Sequence, residues 1–312
     1  MLIIEPIICL VGPTASGKTE LSLHIAQKLG NIEIIYADSM ALYKYLDIGT
    51  AKPTTKQRAL VPHHLIDILE PTERWSSFRF RAEAIACMAA IRERKNLPMV
   101  VGGTGFYVKS LYQPLIAKGS PANVNLRRVL ERLTNLQLYA SLQAVDPPRA
   151  RHIGKNDRKR LVRALEIYIQ TGLPPTSFEK SSQFAQNQHS RYILIGIFMN
   201  RIEIKKRIHE RTNKMFAEGL IQETQQLLNK GYSADVPALN NFTYRPIIQY
   251  IQGKISFSEA RQRIIISTGQ YLKRQETWFR KVPVHWISTE GKNNDIICDE
   301  IIDWYLKMKS GG

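Results

Sequence analysis

The run Gly12-Pro13-Thr14-Ala15-Ser16-Gly17-Lys18-Thr19 is where the spacing in this 312-residue chain most directly implies chemistry. It has the form Gly-x-x-x-x-Gly-Lys-Thr, follows an apolar stretch (Ile7-Ile8-Cys9-Leu10-Val11) and opens a helical pattern carrying Leu21, Ile25 and Leu29. In that setting the glycines let successive backbone N–H groups turn inward around a phosphate, and the helix N-terminus adds its positive end. Lys18 supplies a full charge, and the Thr19 hydroxyl is placed to ligate Mg²⁺. The motif specifies a phosphate chain; whether that chain belongs to ATP is left open.

A second apolar run, Ile32 to Ala37, closes on Asp38-Ser39. A carboxylate at the C-terminal end of a strand, one loop from the cradle, can hold Mg²⁺ as in an ATPase or act as a general base. The pattern leaves both open. A third loop, Gly102-Gly103-Thr104-Gly105, follows the strand-like Met99-Val100-Val101. His63 and His64 lack a metal-ligand partner at useful spacing and read as structural. Cys9, Cys87 and Cys298 are scattered without a C-x-x-C pair, which argues against a disulfide framework or zinc site and suits a reducing cytoplasm.

These residues need a scaffold, and the alternation of strand and helix patterns supplies one: an α/β fold with a parallel sheet and its active loops at the strands' C-terminal ends. Phe78 to Arg94 reads as a helix with Ile85, Met88 and Ile91 on its apolar side. After Pro114 the pattern changes to basic helical segments without a convincing strand, and Tyr192 to Phe198 then returns as a near-continuous apolar run, the mark of a buried parallel strand. The expected architecture is a P-loop parallel-sheet core from residues 1–114 and 191–312, a helical insertion at 115–190, and a helical C-terminal region. In that region helices are expected over 202–230, 244–252 and 257–280. Ser256 and Glu259 are spaced as a capping box, and 284–287 is expected as a closing strand.

The net charge is +17 and unevenly spread. The first hundred residues carry 12 basic against 10 acidic side chains, the next hundred 14 against 5, and the remainder 18 against 12. A near-neutral start joined to a basic middle looks like a catalytic core with a module that grips a polyanion. No apolar run approaches the roughly 20 residues of a membrane span, and the first strand lacks the basic flank of a signal peptide. A cytoplasmic, soluble monomer without membrane contact is expected. On these features a P-loop nucleotide or small-molecule kinase, or an RNA-binding protein with a vestigial P-loop, competes with any other reading.

Beyond the cradle, the chain resembles the bacterial tRNA dimethylallyltransferases (tRNA isopentenyltransferases). The resemblance is carried by residues 12–19, Asp38-Ser39-Met40, Asp47-Ile48-Gly49-Thr50-Ala51-Lys52-Pro53 and His63-His64-Leu65-Ile66-Asp67. It continues through Gly102–Gly105 with Tyr107, Asn156-Asp157 with Arg160 and Arg163–Glu166, and Lys273-Arg274-Gln275 with Thr277–Arg280. It implies transfer of a dimethylallyl group from dimethylallyl diphosphate to the exocyclic amine of the adenosine 3′ to the anticodon, with release of diphosphate. Gly12, Pro13, Thr14, Ala15, Ser16, Gly17, Lys18 and Thr19 would hold the diphosphate, with Mg²⁺ on Thr19, and Arg211 of the Arg-x-x-x-Met helix (Met215) would reach it. Asp38 becomes the candidate base, with Ser39 orienting it. Contacts to tRNA, its anticodon stem-loop on the insertion, are expected at Asp38, Ser39, Met40, Ala41, Thr104, Lys159, Arg160, Leu161, Val162, Arg163, Arg245, Lys273, Arg274 and Gln275. The chain departs from the family pattern at Ala41, at Gly269 and Leu272, and at Thr243–Pro246.

Overall fold

The computed structural model describes residues 5–113, 122–180 and 192–310. The chain forms two compact units, Met1–Tyr112 with Ser190–Gly312, and Gln113–His189. The expected junctions at 114/115 and 190/191 lie outside the described residues.

The larger unit opens with β1 (Ile7–Val11), α1 (Lys18–Leu29), β2 (Ile32–Tyr36), α2 (Thr55–Leu60) and β3 (His63–His64). It continues through α3 (Ser77–Glu93), β4 (Leu97–Gly102) and α4 (Gly105–Tyr112). The strands form one parallel sheet ordered β3-β2-β4-β1, extended beyond β1 by β5 (Tyr192–Phe198) and β6 (His285–Ser288). Alternation along the strands divides the core. Cys9 and Val11 face Phe80, Met88, Ile91 and Leu111, while Ile8 and Leu10 face Leu21 and Ile25 of α1 and Ile297 and Ile301 of the last helix. With helices on both sides, β1 and β5 are buried almost throughout, which explains their unbroken apolar sequences.

The second unit holds α5 (Val124–Leu130), α6 (Asn135–Val145), α7 (Pro147–Ile153), α8 (Arg158–Thr171) and α9 (Pro175–Lys180), with no strand among its described residues. Its own core is built from Leu138, Leu142, Ala150, Leu161 and Leu165. Glu166, fully buried, ties it together: Arg127 grips the carboxylate in two bonds of 2.9 Å, Arg163 adds one of 2.6 Å and the Asn123 N–H one of 2.7 Å. Burial alone would raise the Glu166 carboxyl; these bonds outweigh it and hold the group below its ordinary value.

The remaining helices of the larger unit are α10 (Arg201–Ala217), α11 (Leu220–Asn229), α12 (Tyr244–Ile251), α13 (Phe257–Phe279) and α14 (Asn294–Ser310). None of the described helices is long and apolar enough to cross a membrane. Three local expectations change. The helix read over 202–230 is two helices, broken where Gly219 takes φ 103°, a conformation that ends α10 and starts α11. The capping box of α13 is half made: Ser256 accepts the Glu259 N–H at 3.1 Å, but the Glu259 carboxylate turns to Arg263 at 2.6 Å. The buried stripe of α3 is Phe80, Ala84, Met88 and Ile91, and Ile85 is exposed.

Candidate active site

Because β2, β4 and β1 are neighbours in the sheet, the three loops at their C-terminal ends lie side by side. Backbone and side chain stitch them together. The Ala37 N–H reaches the Val101 carbonyl at 2.7 Å, the Thr104 N–H reaches the Ala37 carbonyl at 3.2 Å, and the Thr104 hydroxyl accepts the Ser39 N–H at 3.1 Å. Gln275, descending from α13 and buried, accepts the Thr14 N–H at 2.8 Å and donates to the Gly103 carbonyl at 2.9 Å.

In the cradle Lys18 curls over the loop, its Nζ 2.6 Å from the Pro13 carbonyl and 3.4 Å from Ser16 Oγ. Arg211 comes in from α10, donating through Nη1 to Thr14 Oγ1 at 3.0 Å and through Nη2 to the Thr50 carbonyl at 3.3 Å. Among the described residues neither cation has a carboxylate within ion-pair distance. Loss of water draws Lys18 down to about 7; Asp38 opposes that shift and Arg211 adds to it. Loss of water also lowers Arg211, opposed by Tyr36 and Asp38, although a guanidinium stays charged throughout the accessible pH range. Arg211 and Lys18, whose charged form a bound anion would favour, make the cradle a receptor for a multiply charged anion.

Asp38 stands opposite them, half-buried. Its Oδ1 accepts the N–H groups of Met40 at 2.8 Å and Ala41 at 3.2 Å, which fixes the carboxylate and leaves Oδ2 without a hydrogen bond among the described residues. Three tyrosines surround it. Burial first and the Asp38 charge second push the hydroxyls of Tyr36 and Tyr271 up to about 12, and the same pair of causes raises Tyr107. All three therefore remain protonated at neutral pH. Tyr36 also places its hydroxyl 3.2 Å from Thr19 Oγ1. Sequence reasoning missed the roles of Tyr36, which lies in the apolar run 32–37, and of Tyr271, two residues before Lys273.

The residues expected on RNA divide by their surroundings. Ser39, Met40 and Thr104 line the loops around Asp38 and are half-buried, whereas Ala41 is closed off, with 1% exposure. Lys273 and Arg274 are exposed on α13, while Gln275 is committed to the loops beneath them. Arg245 is exposed at the start of α12. In the second unit Lys159 and Arg160 are exposed; Leu161 and Val162 point into its core and cannot offer side chains to a partner, and Arg163 is half-buried against Glu166. Lys159 also borders an open depression of about 640 Å³ with Lys155, Asn156 and Arg158. Among the departures, Leu272 is buried beside Ile265 and Ile208, Pro246 is buried within α12, and Gly269 faces open space.

The segment from Asp47 to Pro53 forms the wall from which Thr50 reaches Arg211. Lys52, its side chain 1% exposed, closes it by donating to Asp47 Oδ1 at 2.7 Å, Asp67 Oδ1 at 2.5 Å and the Tyr43 carbonyl at 2.8 Å. Asp67 thus joins the His63–Asp67 segment to this wall. His64 is spent on Glu33 at 2.7 Å and His63 on the Val61 carbonyl at 2.7 Å.

The sequence model of the IPP transferase family matches residues 41–282. The chain is 41% identical over 292 residues to a tRNA dimethylallyltransferase of Geobacter metallireducens, covering 92% of this chain and 93% of that one. A crystal structure of a tRNA delta(2)-isopentenylpyrophosphate transferase from Staphylococcus epidermidis is similar at TM-score 0.71 and 37% identity, covering 97% of this chain and all of the other. A eukaryotic dimethylallyltransferase solved while acting on tRNA shares the fold at TM-score 0.84 and 24% identity, over 97% of this chain and 80% of that one.

Proposed function

Since this chain belongs to the IPP transferase family, we propose that it moves the dimethylallyl group of dimethylallyl diphosphate onto the exocyclic amine of the adenosine 3′ to the anticodon in tRNA. It is a prenyl-transferring enzyme of tRNA modification. The observation that carries the donor half is the pair Lys18 and Arg211, two cations unpaired by carboxylates above the same amide-lined loop.

Adenine's exocyclic amine is a weak nucleophile because its lone pair is delocalised into the ring. As its nitrogen bonds to the allylic carbon, the carbon–oxygen bond to diphosphate breaks and its electron pair leaves on the diphosphate. Asp38 Oδ2, free while Oδ1 is held by Met40 and Ala41, takes the amine proton, a contribution of about 10²–10⁴ in rate. Lys18, Arg211 and the cradle amides stabilise the charge gathering on the leaving group. The hydroxyl oxygen of Thr19 at the cradle suits Mg²⁺, which would supply further charge neutralisation to the diphosphate. Tyr107, buried, and the half-buried Tyr36 and Tyr271 crowd Asp38 and limit water at the allylic cation-like centre.

For the acceptor, the exposed Lys159, Arg160, Lys273, Arg274 and Arg245 supply phosphate contacts to the anticodon stem-loop, and Thr104 and Ser39 line the approach to Asp38. The base must leave its stack to reach that depth. Free Cys9, Cys87 and Cys298 fit a cytoplasmic setting, and we read the enzyme as acting as a monomer.

The test is incubation with Mg²⁺, labelled dimethylallyl diphosphate and unmodified tRNA. Label in the tRNA supports the reading. ATP turnover without transfer would replace it with a kinase, and tRNA binding with neither activity would replace it with an RNA-binding protein.

A further inference from the structure

Glu223 of α11 is a buried carboxylate, 9% exposed, with no cation at ion-pair distance among the described residues. Its Oε2 accepts the N–H groups of Asp47 and Ile48, each at 2.8 Å; its Oε1 accepts the Gly49 N–H at 3.0 Å and the Tyr244 hydroxyl at 2.6 Å. Three consecutive amides converging on one anion make a nest, and here the anion is a side chain of the protein itself. The fit is close: a β-carbon on Gly49 would sit 2.5 Å from the Tyr244 ring. A bare carboxylate is costly to bury, and its removal strands four donors, so the arrangement imposes one conformation on the loop.

The next residue of that loop is Thr50, whose carbonyl receives Arg211 Nη2 while Nη1 holds Thr14 Oγ1 in the cradle. The chain of contacts therefore runs from Glu223 through the 47–49 amides to the Thr50 carbonyl, and from there to the guanidinium above the diphosphate site. Among the described residues no carboxylate stands at ion-pair distance from Arg211; a backbone carbonyl holds it, and Glu223 fixes where that carbonyl stands.

We infer that Glu223 is a positioning residue for the donor diphosphate, acting through the 47–50 loop on Arg211. This inference rests on the reading of Arg211 as a diphosphate ligand. A glutamine at 223 keeps the volume but turns an amide donor toward groups that need acceptors.

The experiment measures donor KM, tRNA KM and kcat for Glu223→Gln, Tyr244→Phe, Arg211→Lys and the double variant Glu223→Gln/Arg211→Lys, with a thermal melt for each. Glu223→Gln is expected to raise the donor KM about tenfold while tRNA KM stays within about twofold. Tyr244→Phe, which removes one of the four donors, is expected to raise it about threefold. In the double variant the donor KM should match that of Arg211→Lys within about twofold, because the two act as one unit. Additive effects in the cycle, or a folded Glu223→Gln protein with unchanged donor KM, would overturn the inference. Should Glu223→Gln fail to fold, Tyr244→Phe with Arg211→Lys completes the same cycle with the same criteria. If Arg211→Lys leaves the donor KM unchanged, the diphosphate reading of Arg211 fails. If Arg211→Lys raises it and Glu223→Gln does not, only the role of Glu223 fails.

Discussion

The side-chain carbonyl of Gln275 accepts the backbone N–H of Thr14 at 2.8 Å, joining α13 to the phosphate cradle across 261 residues of sequence. The other end of the same amide holds the Gly103 carbonyl. Gln275→Met, similar in volume but apolar, strands one half-buried donor and one buried acceptor. Stability should fall by about 2 kcal/mol, and the donor KM should rise as Thr14 loses its anchor. Affinity for tRNA in a filter-binding assay should change less than twofold, approximately. A loss of RNA affinity equal to that of Lys273→Gln would instead make Gln275 an RNA contact.

Asp38→Asn separates the two jobs of that side chain. Asparagine keeps an Oδ1 acceptor for the Met40 and Ala41 amides, so the turn should persist and the melting temperature should hold. Single-turnover transfer should drop by about 10²–10⁴, while tRNA binding remains. Parallel loss of binding and transfer would rule out Asp38 as the base.

Acid stability should reveal Glu33. Its side chain is 4% exposed, and hydrogen bonds from Arg94, then Asn96 and His64, outweigh burial and hold its carboxyl down to about 2. Because the folded pKa lies below the ordinary 4.5, the unfolded chain binds the extra proton between those values. The contribution is complete above pH 4.5 and is lost as pH falls toward 2. Glu33→Gln should therefore be less stable than the parent by about 2 kcal/mol at pH 7, after allowance for the half-exposed Arg94. Urea melts at pH 7, 4 and 3 should show that gap closing; a gap independent of pH would point to packing alone.

The run 159–163 should split by exposure. Replacing Lys159 and Arg160 with glutamine should weaken tRNA binding and reduce the salt slope by about one for each phosphate no longer neutralised, with donor KM unchanged. Leu161→Ala should cost about 2–4 kcal/mol through a cavity in the helical unit. Salt titrations and melts on the same preparations distinguish the two. An unchanged slope for the glutamine pair would remove α8 from the RNA-binding surface.

What the sequence disclosed follows the range of the interaction. The cradle was legible because its strand, turn and helix are contiguous, and β5 was legible because a strand buried on both faces must be apolar at nearly every position. The break at Gly219 was not, since the apolar period continues across it and only the backbone angle interrupts the helix. Gln275 was grouped with its neighbours Lys273 and Arg274. Yet Leu272, Gln275 and Phe279 share the inward face of α13, and the three- and four-residue spacing marks it. Glu223 had no local signal at all, because its partners at 47–49 lie some 175 positions away.

The order of strands in the sheet also governs how the protein emerges from a ribosome. β1 is flanked by β4 and β5, and the residues between Gly102 and Tyr192 include the whole helical unit. At about 5–20 residues per second, translation of that interval takes roughly 5–20 s. Until it ends, the strand feeding the phosphate loop has an open apolar edge, and Arg211 has not been made. The nascent N-terminal portion is thus a window for chaperone capture or edge-to-edge association. The complete diphosphate site, Lys18 with Arg211, exists only when the polypeptide has passed α10.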